Sequence, residues 1–158
     1  MNFLVRLTLV LALALSFNQA SAQSSKYKCM LQMSNYVGEG AYIVVSVIDP
    51  KGNYESTLYV MGDDKQWYNS LKEWYKVYQK RPNISAKTGA SVTGGDRSIT
   101  TMEIDNAKLN KGYKLRFETS VENQKYHVTD VEIPLTTEAL SQKADGKGYI
   151  RYVRFSKI

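Results

Sequence analysis

The chain has 158 residues, with 21 Lys and Arg against 15 Asp and Glu, a formal net charge of +6, one His and one Cys. A single cysteine excludes an intramolecular disulfide framework, and a single histidine leaves no His/Cys set of zinc-ligand type. The cations alternate with acids instead of gathering into a stripe, so the basic excess reads as a solvated surface and not as a nucleic-acid-binding one.

The first segment is an export signal. Arg6 stands in a short basic start, Leu7 to Leu15 is apolar, and Ala20-Ser21-Ala22 follows as a small-x-small cleavage site. Cleavage after Ala22 is expected, leaving residues 23–158 as one exported, periplasmic domain. The apolar run is too short to cross a bilayer as a helix, and no later stretch is long and apolar enough to do so. Tyr27, Cys29, Leu31 and Met33 alternate with polar neighbours, which predicts a half-buried strand with Cys29 packed inside. Ala41 to Ile48 is nearly continuous apolar sequence, as in a central strand. Asp49-Pro50-Lys51-Gly52-Asn53 is turn chemistry, and Tyr54 to Met61 returns, so the pair reads as a hairpin.

The period then changes. Trp67, Leu71, Trp74, Tyr75 and Tyr78 fall on one face of a helix that Asp63 or Asp64 would cap and Pro82 would end. Such a stripe predicts a helix lying across a sheet. Asn83-Ile84-Ser85 has the form of a glycosylation sequon. After it comes a loop of small residues and hydroxyls, Lys87 to Arg97. Strands resume at Ser98–Ile104, Tyr113–Thr119, Tyr126–Ile133 and Tyr149–Ser156, with a register slip predicting a bulge near Thr129 or Asp130. Ser141 to Gly148 reads as a polar loop. Seven strand signals and one helix predict a mostly β fold, an immunoglobulin-like antiparallel β-sandwich with one inserted amphipathic α-helix.

Catalytic constellations are sparse. His127 lies in a strand without a second histidine or cysteine, and reads as a surface or half-buried residue. Asp63-Asp64 reads as a helix cap and not as an acid/base pair. The Lys87–Arg97 loop holds more chemistry: Thr88, Ser91 and Thr93 offer hydroxyls, Lys87 and Arg97 offer charge, and Gly89, Gly94 and Gly95 let backbone amides approach an anion. It lacks the length and lysine placement of a P-loop. Its alternative reading is a tight glycine turn linking helix to strand.

Taken in order, Tyr42-Ile43-Val44-Val45-Ser46-Val47, Asp49, Trp67-x-x-x-Leu71-x-x-Trp74, Thr88-Gly89-Ala90-Ser91, Gly94-Gly95-Asp96-Arg97 and Gly112-Tyr113-x-Leu115-x-Phe117-Glu118 resemble an uncharacterised family of predicted periplasmic proteins. Genes of that family often lie near PepSY-domain membrane proteins and FAD:protein FMN transferases, and the family is similar to the immunoglobulin-like domain of flagellar hook-capping proteins. The resemblance spans Tyr27 to Ile133 and brings no established activity. Thr88-Gly89-Ala90-Ser91 also resembles the segment on which FMN transferases form a phosphoester, which would make Ser91 the acceptor. Ser85 stands where that segment usually has an acidic residue. These likenesses imply three readings: a non-enzymatic binding module for a membrane-associated PepSY-type partner, an FMN-carrying redox protein using Ser91 with Lys87, Thr88, Thr93 and Arg97, and a structural module of a cell-envelope assembly.

Overall fold

Alternation in the sequence becomes alternation in burial. In strand β1 (Ser24–Met33), Tyr27, Cys29, Leu31 and Met33 are buried while Lys26 and Lys28 face water. The structure, a computed structural model, describes residues 23–82 and 86–158. The predicted signal sequence with its expected cleavage after Ala22, and the Asn83 sequon, lie outside the described residues.

Strand β2 (Tyr42–Ile48) is buried on both faces, as its continuous apolar sequence requires. It pairs antiparallel with β3 (Tyr54–Met61) from Ile43↔Met61 to Ile48↔Tyr54. Asp49 closes this hairpin, its Oδ1 accepting from the amides of Lys51 and Asn53 at 2.8 Å each. The remaining predicted strands are present as β5 (Arg97–Asp105), β6 (Lys114–Ser120), β7 (His127–Pro134) and β9 (Ile150–Lys157). Two three-residue strands, β4 (Lys87–Gly89) and β8 (Lys143–Asp145), complete the set. One sheet has the order β4-β3-β2-β6-β7 and the other β5-β1-β9-β8. The main core lies between them, with Leu31, Ile43, Val45, Phe117 and Val153 fully enclosed.

The structure corrects the predicted architecture in four places. The pairing is not wholly antiparallel, because β4 runs parallel to β3 with Tyr59↔Lys87 and Met61↔Gly89. The segment Ser141–Gly148 is not all loop, since β8 forms within it on β9. A further short helix, α2 (Thr137–Leu140), is capped by the Thr136 hydroxyl. Finally, the aromatic helix is broken in two: a 3-10 turn (Lys65–Ser70) capped by Asp64, and then α1 (Lys72–Lys80).

That break reassigns the stripe. A 3-10 turn advances by three residues instead of 3.6, so the inward face slips by one position before α1 begins. Tyr68 is therefore buried and Trp67 stands 42% exposed, whereas Leu71 and Trp74 are buried as predicted. The helical segment lies on the outer face of the five-stranded sheet. There Tyr68, Leu71 and Trp74 meet Val44 and Val60 in a second, smaller core. Trp74 is anchored by its indole N–H, which donates to Thr57 Oγ1 at 2.9 Å, and by stacking on Tyr78 at 5.0 Å.

The predicted bulge is present. The register shifts between Phe117↔Val131 and Thr119↔His127, so β7 holds more residues than β6 opposite Glu118. The extra length turns Asp130 inward, where it is fully buried.

Candidate functional site

The Ser91 loop is a braced rim. Val92 and Ala41 exchange backbone hydrogen bonds at 3.1 and 2.8 Å. The Tyr36 hydroxyl donates to the Val92 carbonyl at 2.7 Å and accepts from the Ala41 amide at 2.8 Å. Thr93 to Asp96 form a tight turn, with the Asp96 amide donating to the Thr93 carbonyl and Gly95 at φ +81°. Gly94 is required by proximity, since a Cβ there would sit 2.1 Å from the Tyr36 carbonyl oxygen. The Gly95 amide donates to Ser34 O at 2.9 Å and so points into the protein. These two glycines thus serve the turn and the close approach, which the turn reading of the loop anticipated.

Ser91 remains exposed, and two clefts open on either side of it. One, of about 160 Å³, is lined by Glu39, Gly40, Tyr42, Trp67, Ser70, Ser91, Ser120 and Glu122. Gly40 makes room for the serine there: a Cβ on it would come within 2.5 Å of Ser91 Oγ. The exposed Trp67 ring and two carboxylates give this side an aromatic and acidic character. The other cleft, of about 330 Å³, runs along the seam between the sheets, from Tyr59 and Gly89 to Arg97 and Thr100. Thr100 Oγ1 is buried there without a hydrogen-bond partner.

Of the predicted binding residues, Ser91 and Arg97 line the same seam cleft. Arg97 Nε is held by Gln32 Oε1 at 3.1 Å. Lys87 and Thr88 belong to β4 and, as consecutive strand residues, face opposite sides of the sheet. Thr93 is exposed on the turn beyond. The sequence reading missed Glu39, Gly40, Tyr42, Trp67 and Glu122 as neighbours of Ser91. They come from separate loops, from the start of β2 and from the 3-10 turn, and no spacing in the chain announces their meeting.

Two buried carboxylates were also missed as such. Glu118 is fully enclosed beneath α1, although strand alternation had set it on the polar side of β6. It accepts hydrogen bonds from the hydroxyls of Tyr54 and Tyr126 and from the Trp74 amide at 3.2 Å. Tyr126 Oη in turn accepts from the Glu73 amide at 3.0 Å. Burial pushes the Glu118 carboxyl above its ordinary range, opposed by the tyrosine hydrogen bonds. Burial, and then the carboxylate, push both tyrosines up as well. This cluster clamps the helical segment to the sheet. The signal that could have found it is the aromatic helix itself, which must cover one polar strand face.

Asp130 occupies a nest of backbone donors. Its Oδ1 accepts from the amides of Lys147 and Gly148 at 3.0 and 2.7 Å. Its Oδ2 accepts from Tyr149 and Ile150 at 2.8 and 3.1 Å and from the Thr119 hydroxyl at 2.6 Å. His127 packs edge-on against Tyr149 at 5.1 Å and is half-buried, as read from the strand. Cys29 is enclosed, and burial pushes its thiol up to about 12, which keeps it protonated and inert. Among the described residues no group of three His, Cys, Asp or Glu could hold a metal ion, and no helix is long and apolar enough to cross a membrane.

Comparison with curated proteins and with solved structures returns no match for this chain. A family model described as predicted periplasmic protein (DUF2271) matches residues 24–152.

Proposed function

The chain belongs to that family of predicted periplasmic proteins, and from this premise we propose that it is a non-enzymatic exported binding module. Its contact point is the braced rim around Ser91. The observation that carries this reading is the placing of an exposed serine between two clefts of different character, on a loop fixed at Val92 and Tyr36. A rigid rim of this kind presents a recognition surface with little ordering cost on binding. The partner is a membrane-associated protein of PepSY type.

Capture from detergent-solubilised envelope tests it. The wild-type domain is expected to retain a co-expressed PepSY-type protein, and Ser91→Arg, which sets a long cationic side chain on the rim between the two clefts, is expected to lose it. Equal retention by Ser91→Arg would move the contact away from this rim, and no capture by the wild type would reject the partner.

A second reading is favoured by the exposure of Ser91 next to Arg97: that Ser91 carries FMN. In that reaction Ser91 Oγ attacks the FMN phosphorus of FAD, AMP leaves with the electrons of the broken anhydride bond, and the hydroxyl proton passes to the transferase. Bound FMN would supply electron transfer. The chain's own part is to hold Ser91 accessible and to set the Arg97 charge on the same side as the phosphoester, with Lys87, Thr88 and Thr93 around the loop. Intact mass after co-expression with an FMN transferase decides it. The expected gain is one FMN phosphoester, absent from Ser91→Ala; an unmodified wild type removes the reading.

A further inference from the structure

The free edge of the four-stranded sheet is a nine-residue strand, β5. Its hydrogen-bond phase follows from its two ends. The Met33 amide donates to Asp96 O at 2.9 Å and the Asn106 amide to Gln23 O at 3.0 Å, in a ladder that pairs Gln32 with Arg97 and Ser24 with Asp105. Opposed residues of an antiparallel pair alternate between bonded and non-bonded. The even-numbered residues of β5 therefore bond to β1, and the N–H and C=O groups of Arg97, Ile99, Thr101, Glu103 and Asp105 point outward. Among the described residues no strand pairs with this side of β5; at its end the Asp105 carbonyl is taken by the 3-10 turn Asn106–Lys108 that Asp105 caps, which leaves the groups of Arg97, Ile99, Thr101 and Glu103. Ile99 is 56% exposed on the same strand. The neighbouring edge of the other sheet, β4, is only three residues long and does not cover it. A long, uncovered, β-branched edge of this kind is a template for strand addition.

We propose that β5 pairs antiparallel with β5 of a second copy, about a two-fold axis through Thr101, joining two four-stranded sheets into one. The strand is its own complement. In this register Arg97 faces Asp105 of the second copy at both ends, Ile99 lies beside Glu103, and Thr101 meets Thr101, a favourable cross-strand pair. The end groups are free to meet. Arg97 uses Nε on Gln32 and keeps its terminal nitrogens, while Asp105 uses Oδ1 on the Ala107 amide at 2.9 Å and keeps Oδ2. A two-fold contact of identical patches also closes on itself and does not propagate into a fibre. The pairing goes beyond the binding reading above: it shares Arg97 and Ile99 with the seam cleft but rests on the backbone edge of β5 and not on Ser91.

Cysteine cross-linking and light scattering test it on the mature domain, whose own Cys29 is buried. Thr101→Cys sets two thiols opposite each other in one bonded pair, at a spacing a disulfide can bridge. It is expected to oxidise to a covalent dimer. Ile99→Cys, at the more exposed position, faces residue 103 and is expected to stay free of the covalent cross-link under the same oxidation. Thr101→Pro removes only an outward amide, a substitution edge strands tolerate, and is expected to yield a folded monomer where the wild type is a dimer. The charge exchange Arg97→Asp with Asp105→Arg is expected to restore the dimer that either change alone loses. A wild type that is monomeric, equal cross-linking at positions 99 and 101, or a dimer that survives Thr101→Pro would each overturn the proposal.

Discussion

Replacing Asp130 by asparagine is expected to destabilise the domain by about 3 kcal/mol or more, a loss of roughly 10 °C in melting temperature for a domain of this size. The two side chains have nearly the same shape, so the effect is one of donors and acceptors. Both oxygens of Asp130 receive N–H groups: Lys147 and Gly148 on one, Tyr149 and Ile150 on the other. Whichever way an asparagine is turned, its NH₂ points at two backbone N–H groups that it cannot accept from. The amides of Tyr149 and Ile150 are buried beside β9 with no water to turn to, while those of Lys147 and Gly148 are only partly covered. The neighbourhood leaves little room to relax, because a Cβ on Gly148 would sit 2.6 Å from the His127 ring and one on Gly146 2.0 Å from the Ile150 carbonyl. Thermal unfolding of Asp130→Asn against wild type checks the claim; a change below about 1 kcal/mol, the worth of one ordinary hydrogen bond, would refute it.

The same isosteric exchange at Glu118 has the opposite outcome. Its oxygens are unequal: one accepts from the Trp74 amide and the Tyr126 hydroxyl, the other only from the Tyr54 hydroxyl. A glutamine can keep its oxygen toward Trp74 and Tyr126 and donate its NH₂ to Tyr54, whose hydroxyl rotates to accept. Glu118→Gln is therefore expected to hold stability within about 1 kcal/mol at neutral pH, whereas Glu118→Ala strands these groups and costs about 3 kcal/mol. The pH dependence has a definite sign. Burial raises the carboxyl in the folded chain above its unfolded value of about 4.3, so the folded state binds more protons through the interval above that value. The contribution of Glu118 is greatest at low pH and falls as pH rises through its folded value. Glu132 works the other way: its pairing with Lys114 and Arg116 outweighs its burial and lowers its carboxyl, so its contribution is lost as pH falls. Subtracting the Glu118→Gln stability curve from the wild-type curve isolates the Glu118 part. A tenfold difference in proton affinity between the folded and unfolded chain is worth about 1.4 kcal/mol. A difference curve that stays flat from about pH 4 to pH 7 would therefore show that the clamp does not titrate.

How far the chain announces this structure depends on the kind of signal. Strands such as Tyr27–Met33 and Tyr113–Thr119 carry period-two patterns fixed by local geometry, and they fold where they were read. The slip around Thr129 also survives translation into structure, because a bulge is a local count of residues. What the chain hides is which polar strand face another element covers. Glu118 and Lys114 sit on the same side of β6, and only the docking of α1 over one of them separates a buried carboxylate from an exposed cation. Trp67 and Tyr68 are adjacent, and a 3-10 turn decides which faces inward. The rim around Ser91 was half legible. Its hydroxyl and glycines stand together in sequence, whereas Glu39, Trp67 and Glu122 reach it only through the fold.

The position of β1 has a consequence for when this protein can fold at all. The first strand of the domain is inserted between β5 and β9, the last strand to be made. Until residues 150–157 are available, one whole side of β1 has no partner, and closing that gap requires contacts across nearly the full chain length. Such non-local closure is slow. In a periplasmic protein carried across the membrane unfolded, a sheet that cannot close before β9 emerges would leave the chain threadable during its passage. The order of the strands would then act as a timer, holding folding back to the far side of the membrane.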